Sequence, residues 1–191
     1  MDKKVEPPTA QLPPAPPTPT LLAIMDGDAV FTDSTFVRIP HYGDTEYTIF
    51  YCVRHAEKRK DQGNNPSLTP EGEARATRLG KIMAQVRLDK ACSTSFKRTV
   101  QTAEAIRKEM AEPPSAETYP PDLQDGWLDA KLSEGKGKRY LVVGHQNTIP
   151  QLLNRLKGSK VYSDMPDDEH GLLYVAITKG IGQTEVLELR Y

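Results

Sequence analysis

The chain lacks the features that mark disulfide-rich, metal-binding and membrane-spanning proteins. Its 191 residues include two cysteines and four histidines, and neither cysteine has the spacing of a metal or CxxC redox site. No apolar run reaches the roughly eighteen residues that a membrane span needs. Lys plus Arg (25) nearly cancels Asp plus Glu (26), so no net field recruits nucleic acid or an anionic membrane. We therefore predict a soluble protein that has no metal, no cofactor and no nucleic-acid partner.

The two cysteines, Cys52 and Cys92, each lie in or beside a predicted strand. A small buried thiol is the ordinary interpretation at such positions. A disulfide between neighbouring strands is the alternative. We assign neither cysteine a functional role.

Proline is concentrated at one end of the chain. Seven of the 16 prolines fall in the first twenty residues, which have no apolar pattern that would build a core. Such a segment is stiff and extended, and it holds a domain away from an anchor. The sequence predicts a disordered tether at residues 1–20 and one folded domain at residues 21–191, for which 37% apolar residues suffice.

Three roles for the tether remain open. If Met1 stands where an export signal was removed, the tether fits a periplasmic lipoprotein anchored to a membrane; otherwise the protein is cytoplasmic. The segment also fits a PxxP ligand for a partner domain, and it fits a tail without function. An export signal upstream of Asp2 in the gene would separate the first role from the other two.

Alternating strand and helix patterns run through the rest of the chain. Residues 48–53 are almost wholly apolar or β-branched, which is typical of a strand covered on both faces. Thr69 suits a helix N-cap and Pro70 the first helical position. The predicted elements are an edge hairpin within 21–43, a strand at 48–53, a helix from 70 to 86, a short strand at 91–92, a helix at 96–110, a loop at 112–126, a helix at 127–134, a strand at 140–144, a helix at 149–156 and a hairpin of 172–178 with 184–189. This order predicts an α/β fold, a three-layer α/β/α sandwich with a mostly parallel central sheet.

Two histidines directly follow predicted strands. His55 comes after the strand at 48–53, and His145 comes after the strand at 140–144. Ligands bind where parallel strands end, so both imidazoles are predicted to share one site. Arg54 precedes the first histidine, and Arg98 begins a helix after a Ser-Thr-Ser turn. Arginine forks bind phosphate oxygens two at a time, so this set indicates phosphoryl chemistry without a metal.

In such a site His55 is the natural nucleophile. A neutral imidazole nitrogen attacks phosphorus and forms a phosphohistidine that water then cleaves. Nearby cations disfavour the protonated imidazole, so we expect the pKa of His55 to lie below its usual value. His145 would donate to the phosphoryl oxygens.

Four ordered segments resemble the histidine phosphatase superfamily, which includes the phosphoglycerate mutases. These segments are 53–57 (VRHAE), 68–72 (LTPEG), 93–103 (STSFKRTVQTA) and 143–145 (VGH), and the resemblance covers about residues 48–191. It implies a phosphoglycerate mutase-like fold, a phosphate pocket built from the four residues Arg54, His55, Arg98 and His145, phosphorylation of His55, and no need for a metal. The Arg-His-Ala-Glu-Lys form is similar to a compact bacterial branch.

The resemblance does not locate a general acid. The mutases carry a glutamate on a long insertion, and this chain is short between Ala111 and Lys138. Loop carboxylates that could protonate a leaving group are Glu117, Asp122 and Asp125, with Asp122 as first choice. If none acts, the preferred substrates have good leaving groups, such as aryl phosphates, acyl phosphates or phosphohistidine on a protein.

Three functions are weighed. The first is a phosphomonoesterase that works through phospho-His55 on a phosphorylated small molecule or a phosphoprotein. The second is a non-catalytic or very slow phosphate or phosphopeptide-binding module of the same fold. Mutase activity is disfavoured by the missing insertion.

His41 and His170 are predicted to be structural, with His170 in a turn before a strand and at most at the rim of the pocket.

Overall fold

The structure, a computed structural model, describes residues 18–191. Residues 1–17 lie outside the described part, so the predicted tether at 1–20, its membrane anchoring and its PxxP alternative stay predictions. Among residues 18–191, no helix is both long and apolar enough to cross a membrane. The elements are β1 (Leu21–Met25), β2 (Asp28–Phe31), β3 (Phe36–Arg38), β4 (Thr48–Arg54), α1 (Pro70–Ile82), β5 (Lys90–Ser93), α2 (Lys97–Lys108), β6 (Ser115–Thr118), a 3₁₀ turn (Pro121–Leu123), α3 (Gln124–Ser133), β7 (Arg139–Gly144), α4 (Thr148–Lys157), β8 (Leu172–Gly180) and β9 (Gln183–Arg190).

A six-stranded sheet forms the middle layer, with strand order β6-β5-β7-β4-β8-β9. Its first four strands run parallel, and β8 and β9 run antiparallel to them. All seven residues of β4 are buried. Ile49 and Tyr51 pack with α1 and α2, whereas Phe50 and Cys52 pack with α3 and α4. The predicted mostly parallel α/β sandwich is confirmed.

The segment from Leu21 to Gly43 differs from its prediction. Instead of an edge hairpin, it forms a separate antiparallel sheet of β1, β2 and β3. β6 and β9 occupy the two edges of the main sheet. The small sheet instead buries Leu21, Ile24 and Ala29 in the core that contains α1.

The predicted loop at 112–126 was also partly wrong, because it contains β6 and the start of α3. β6 is a polar strand at the sheet edge, paired only with β5, and most of its side chains are exposed. An edge strand is held by its backbone ladder on one side, so it needs no apolar alternation. α1 likewise ends at Ile82, before the predicted 86, although Met83 and Val86 still pack in the core.

The cysteines are free, buried thiols, which confirms the ordinary interpretation. Cys52 on β4 and Cys92 on β5 both pair with Val142 of the intervening β7. Cys52 and Cys92 are therefore two strand spacings apart, about 10 Å, which is too far for a disulfide. The disulfide alternative was therefore wrong.

Candidate active site

The sheet brings the two predicted histidines together. β4 and β7 are parallel neighbours, and Arg54 pairs with Gly144 at their carboxyl ends. The residues that follow, His55 and His145, therefore leave the sheet side by side. Their ring centroids lie 5.6 Å apart.

Backbone hydrogen bonds fix the tautomer of His55. The side chain is almost fully buried, and its Nδ1 lies 2.8 Å from the carbonyl oxygen of Ala56. A carbonyl oxygen only accepts, so a neutral His55 must carry its hydrogen on Nδ1. The lone pair is then left on Nε2, the nitrogen free to attack an electrophile.

The surroundings of His55 favour its neutral form. Burial lowers the pKa of His55 to about 3, the hydrogen bond to Ala56 opposes this shift, and the charges of Arg98 and Arg54 lower the pKa further. A neutral imidazole at neutral pH is the nucleophilic form. The predicted direction of the shift is thus found, with burial rather than charge as its largest cause.

Arg54 connects the strand end to a surface loop. Its Nη1 donates to the carbonyl oxygens of Pro166 (2.7 Å) and Glu169 (3.1 Å), and its Nη2 donates to Gln146 Oε1 (3.1 Å). Within residues 18–191, the buried Nε has no hydrogen-bond partner. Arg54 therefore uses part of its guanidinium group to hold the loop that borders the site.

Arg98 has more unused donors. Its Nε and Nη1 atoms are buried and have no partner within the described residues. Its guanidinium carbon lies 4.4 Å from the centroid of the Phe96 ring, which holds the group in place from one side. Each unpaired buried donor costs about 1–3 kcal/mol, a cost that an anion bound beside the guanidinium would remove.

A chain of hydroxyl groups orients His145. Its Nε2 lies 3.0 Å from Thr94 Oγ1, which lies 2.8 Å from Thr99 Oγ1. Thr99 donates to the carbonyl oxygens of Thr94 and Phe96 at 3.0 and 2.8 Å. The chain therefore runs outward from a hydrogen on His145 Nε2, and its Nδ1 faces Arg98 Nη2 at 3.5 Å. Burial, followed by the charges of Arg98, Lys58 and Arg54, lowers the pKa of His145 to about 4.

The sequence matches a known family over the segment that builds most of this site. Residues 50–119 match the model of the histidine phosphatase superfamily, branch 1. This match confirms the predicted resemblance to the superfamily over 70 of the 191 residues, and it supports a phosphatase-type function as the general class. The sequence matches none of the curated proteins.

Solved structures show the same fold. The protein histidine phosphatase SixA complexed with tungstate matches with a TM-score of 0.63 at 19% identity, over 74% of this chain and 96% of that one. A putative phosphohistidine phosphatase SixA from Agrobacterium tumefaciens matches with a TM-score of 0.57 at 20% identity, covering 73% and 97%. Phosphoglycerate mutase from Bacillus anthracis str. Sterne matches with a TM-score of 0.60 at 15% identity, covering 76% and 94%.

Two glycines of the family motifs permit close packing around the histidines. A Cβ on Gly72 would lie 2.3 Å from the carbonyl oxygen of Glu57, so α1 could not approach the first motif. A Cβ on Gly144 would lie 2.8 Å from side-chain atoms of Thr148 and Ile149 at the start of α4. Gly72 therefore has no space for a Cβ against the backbone of Glu57, whereas at Gly144 a Cβ would force side chains of α4 to shift.

The three predicted general acids differ in their surroundings. Glu117 accepts from Lys90 (2.6 Å) and Lys131 (2.9 Å), which together with a bond from Trp127 lower its pKa to about 2 against the opposing effect of burial. Glu117 is thus a structural carboxylate. Asp122, exposed on the 3₁₀ turn, borders a cavity of about 640 Å³ next to Asp125. Its role as the acid of a histidine phosphatase stays a prediction.

A different cavity, of about 580 Å³, opens beside Arg54. Polar and charged side chains line it, namely Arg54, Glu57, Lys58, Lys60, Gln146, Asp167, Asp168 and His170. Asp122 is not among them. Glu57 is held by Arg75, which donates to its Oε1 at 2.7 Å. Within residues 18–191, no cluster of three or more metal-ligating side chains is present.

His170 lies deeper in this site than the sequence indicated. Its Nδ1 is 3.0 Å from the carbonyl oxygen of His55, and the two ring centroids are 5.9 Å apart. Sequence reasoning placed His170 in a turn, because an Asp-Asp-Glu-His-Gly stretch has no periodicity. By contrast, His41 stacks on Tyr47 and lies near Glu185, in agreement with its predicted structural role.

Proposed function

We propose that this protein is a metal-independent phosphatase that forms a phosphohistidine on His55. Arg54 and Arg98 would bind the phosphoryl oxygens, and His145 would donate to them only when it is also protonated on Nδ1, since its Nε2 hydrogen is directed to Thr94. Family and fold support the phosphatase class, and the site supports the mechanism. The substrate would be a phosphorylated small molecule or a phosphoprotein.

In the first step, His55 Nε2 attacks phosphorus, and the bond from phosphorus to the leaving oxygen breaks. In the second step, water attacks the phosphohistidine, the P–N bond breaks, and inorganic phosphate leaves. Negative charge on the three phosphoryl oxygens is the main electrostatic demand of both steps. The unpartnered donors of Arg98 are available to meet it.

One observation carries this proposal. The Nδ1 hydrogen of His55 is held by a backbone carbonyl, which leaves Nε2 as an attacking lone pair beside Arg98, whose buried Nε and Nη1 have no partner within the described residues. Two buried donors of Arg98 without an anion would be costly.

The test is hydrolysis of an aryl phosphate with chelator present. We compare the parent with His55→Asn, whose amide can still donate to the carbonyl of Ala56, and with His41→Asn as a matched control outside the site. Turnover in the parent and control, with a loss of at least about 1,000-fold in His55→Asn, is expected if His55 is the nucleophile. Labelled phosphate bound to the parent should be stable in base and lost in acid.

The alternative is a phosphate-binding module with little or no turnover. It is favoured by the position of the first-choice acid, because Asp122 does not line the cavity beside Arg54. Binding of tungstate without hydrolysis of aryl phosphate or of phosphohistidine would support it. Aryl phosphate and phosphohistidine both have good leaving groups that need no general acid. The result therefore does not depend on whether such an acid is present.

A further inference from the structure

We propose that His170 accepts the proton of the attacking water during hydrolysis of the phosphohistidine. The inference rests on the proposed function. It assigns a catalytic role to a residue that the four family motifs do not include.

The first argument is the orientation of the ring. His170 Nδ1 lies 3.0 Å from the carbonyl oxygen of His55, and this oxygen only accepts. Neutral His170 therefore carries its hydrogen on Nδ1 and its lone pair on Nε2. The nucleophile's own backbone thus orients this second imidazole, as a third group orients the base in other nucleophilic sites.

The second argument is access. Within residues 18–191, Nε2 of His170 has no hydrogen-bond partner, and it is not among the buried side-chain atoms that lack one. Solvent therefore reaches this nitrogen. The ring lines the cavity beside Arg54 and lies 5.9 Å, centroid to centroid, from the ring of His55. The ring of His170 is therefore a direct neighbour of the ring of His55.

The third argument is that the two glutamates nearest to His170 are paired with arginines. Glu57 is hydrogen-bonded to Arg75, and Glu169 lies 3.1 Å from Arg190. Asp167 and Asp168 are exposed on the loop whose carbonyl oxygens hold Arg54. A carboxylate that is paired with an arginine stays ionised and makes a poor base.

The environment of His170 suits a base. Burial lowers its pKa, the hydrogen bond to His55 raises it, and the charges of Arg54, Glu57 and Arg75 act in opposite directions. The net shift is downward, so the imidazole is neutral at neutral pH and able to accept a proton.

The proposed step balances as follows. The oxygen of a water molecule attacks phosphorus, and one of its protons moves to Nε2 of His170. The P–N bond breaks, and its electron pair returns to Nε2 of His55. Phosphate leaves, and the imidazolium of His170 then releases its proton to solvent.

The test uses His170→Asn with 4-nitrophenyl phosphate, whose leaving group needs no acid. The Asn amide can keep the bond to the carbonyl of His55, but it lacks Nε2. We expect a nitrophenolate burst of unchanged rate, accumulation of phospho-His55, and a fall of about 100-fold in steady-state turnover. Imidazole added to His170→Ala should restore part of the turnover, and tungstate affinity should stay within a few-fold of the parent.

Several results would overturn the inference. Turnover in His170→Asn equal to the parent would leave His170 a structural role only. A large loss of tungstate affinity would make it a phosphate-binding group instead. If the parent itself forms no phosphohistidine, the proposed function fails, whereas a working parent beside a fully active His170→Asn removes the role of His170 alone.

Discussion

Acidification from pH 7 to pH 5 should destabilise the protein through His55. Its pKa in the folded state is about 3, because the ring is buried beside two arginines. In the unfolded chain the pKa returns to about 6.5. The folded value is the lower one, so the stability from this group is complete above about pH 6.5 and is lost as the pH falls towards 3.

The size of the effect follows from these two values. At pH 5 an unfolded imidazole binds nearly one proton, whereas folded His55 binds almost none. Linkage then gives a loss of about 2 kcal/mol between pH 7 and pH 5 for this single group. His145, with a pKa lowered to about 4, adds to the loss in the same direction.

A urea titration at each pH measures the loss, with the fluorescence of Trp127, the single tryptophan, as the probe. Carboxylates also titrate in this range, so the informative quantity is the difference between the parent and His55→Asn. We expect the parent to lose about 2 kcal/mol more than the variant between the two pH values. Parallel losses in both proteins would show that His55 is not held neutral, which would refute the argument for its tautomer and its attack.

Three further predictions rest on single contacts. Arg98→Met should raise the free energy of unfolding by about 1 kcal/mol, because unpaired donors disappear, and should abolish tungstate binding measured by calorimetry. Gly72→Ala should destabilise the fold by about 3 kcal/mol in urea, since its Cβ would lie 2.3 Å from the Glu57 oxygen, whereas exposed Gly126→Ala should not. The thiols of Cys52 and Cys92 are buried, and burial raises the pKa of each, so they should react with a thiol reagent only after urea is added.

The sequence predicted the parts of the fold that depend on local patterns. The apolar run ending at Val53 predicted a central strand, and the pair Thr69-Pro70 predicted the start of α1. Thr69 Oγ1 does accept from the backbone nitrogen of Gly72 at 3.1 Å. Because parallel strands end at one edge of a sheet, the adjacency of His55 and His145 followed from order alone.

Features that depend on long-range pairing were missed. β6 is polar and exists because β5 provides a backbone ladder. Glu117 in that strand becomes structural because Lys131, in the last turn of α3, is buried against it. The contact between His170 and His55 joins residues 115 positions apart. A periodic sequence pattern does not indicate contacts between distant residues. From the sequence, Glu117 and His170 were therefore predicted to be ordinary loop or surface residues.

The protonation pattern of the site is set by groups that a sequence does not display. A backbone carbonyl holds Nδ1 of His55, and the carbonyl of His55 in turn holds Nδ1 of His170. Every residue type supplies the same carbonyl, so no motif encodes which ring nitrogen bears the hydrogen. The family motifs select an imidazole at His55, and the path of the backbone just beyond β4 decides that its Nε2 is the nitrogen left to attack. Substitutions that move this backbone should therefore impair chemistry even when all four predicted pocket residues are intact.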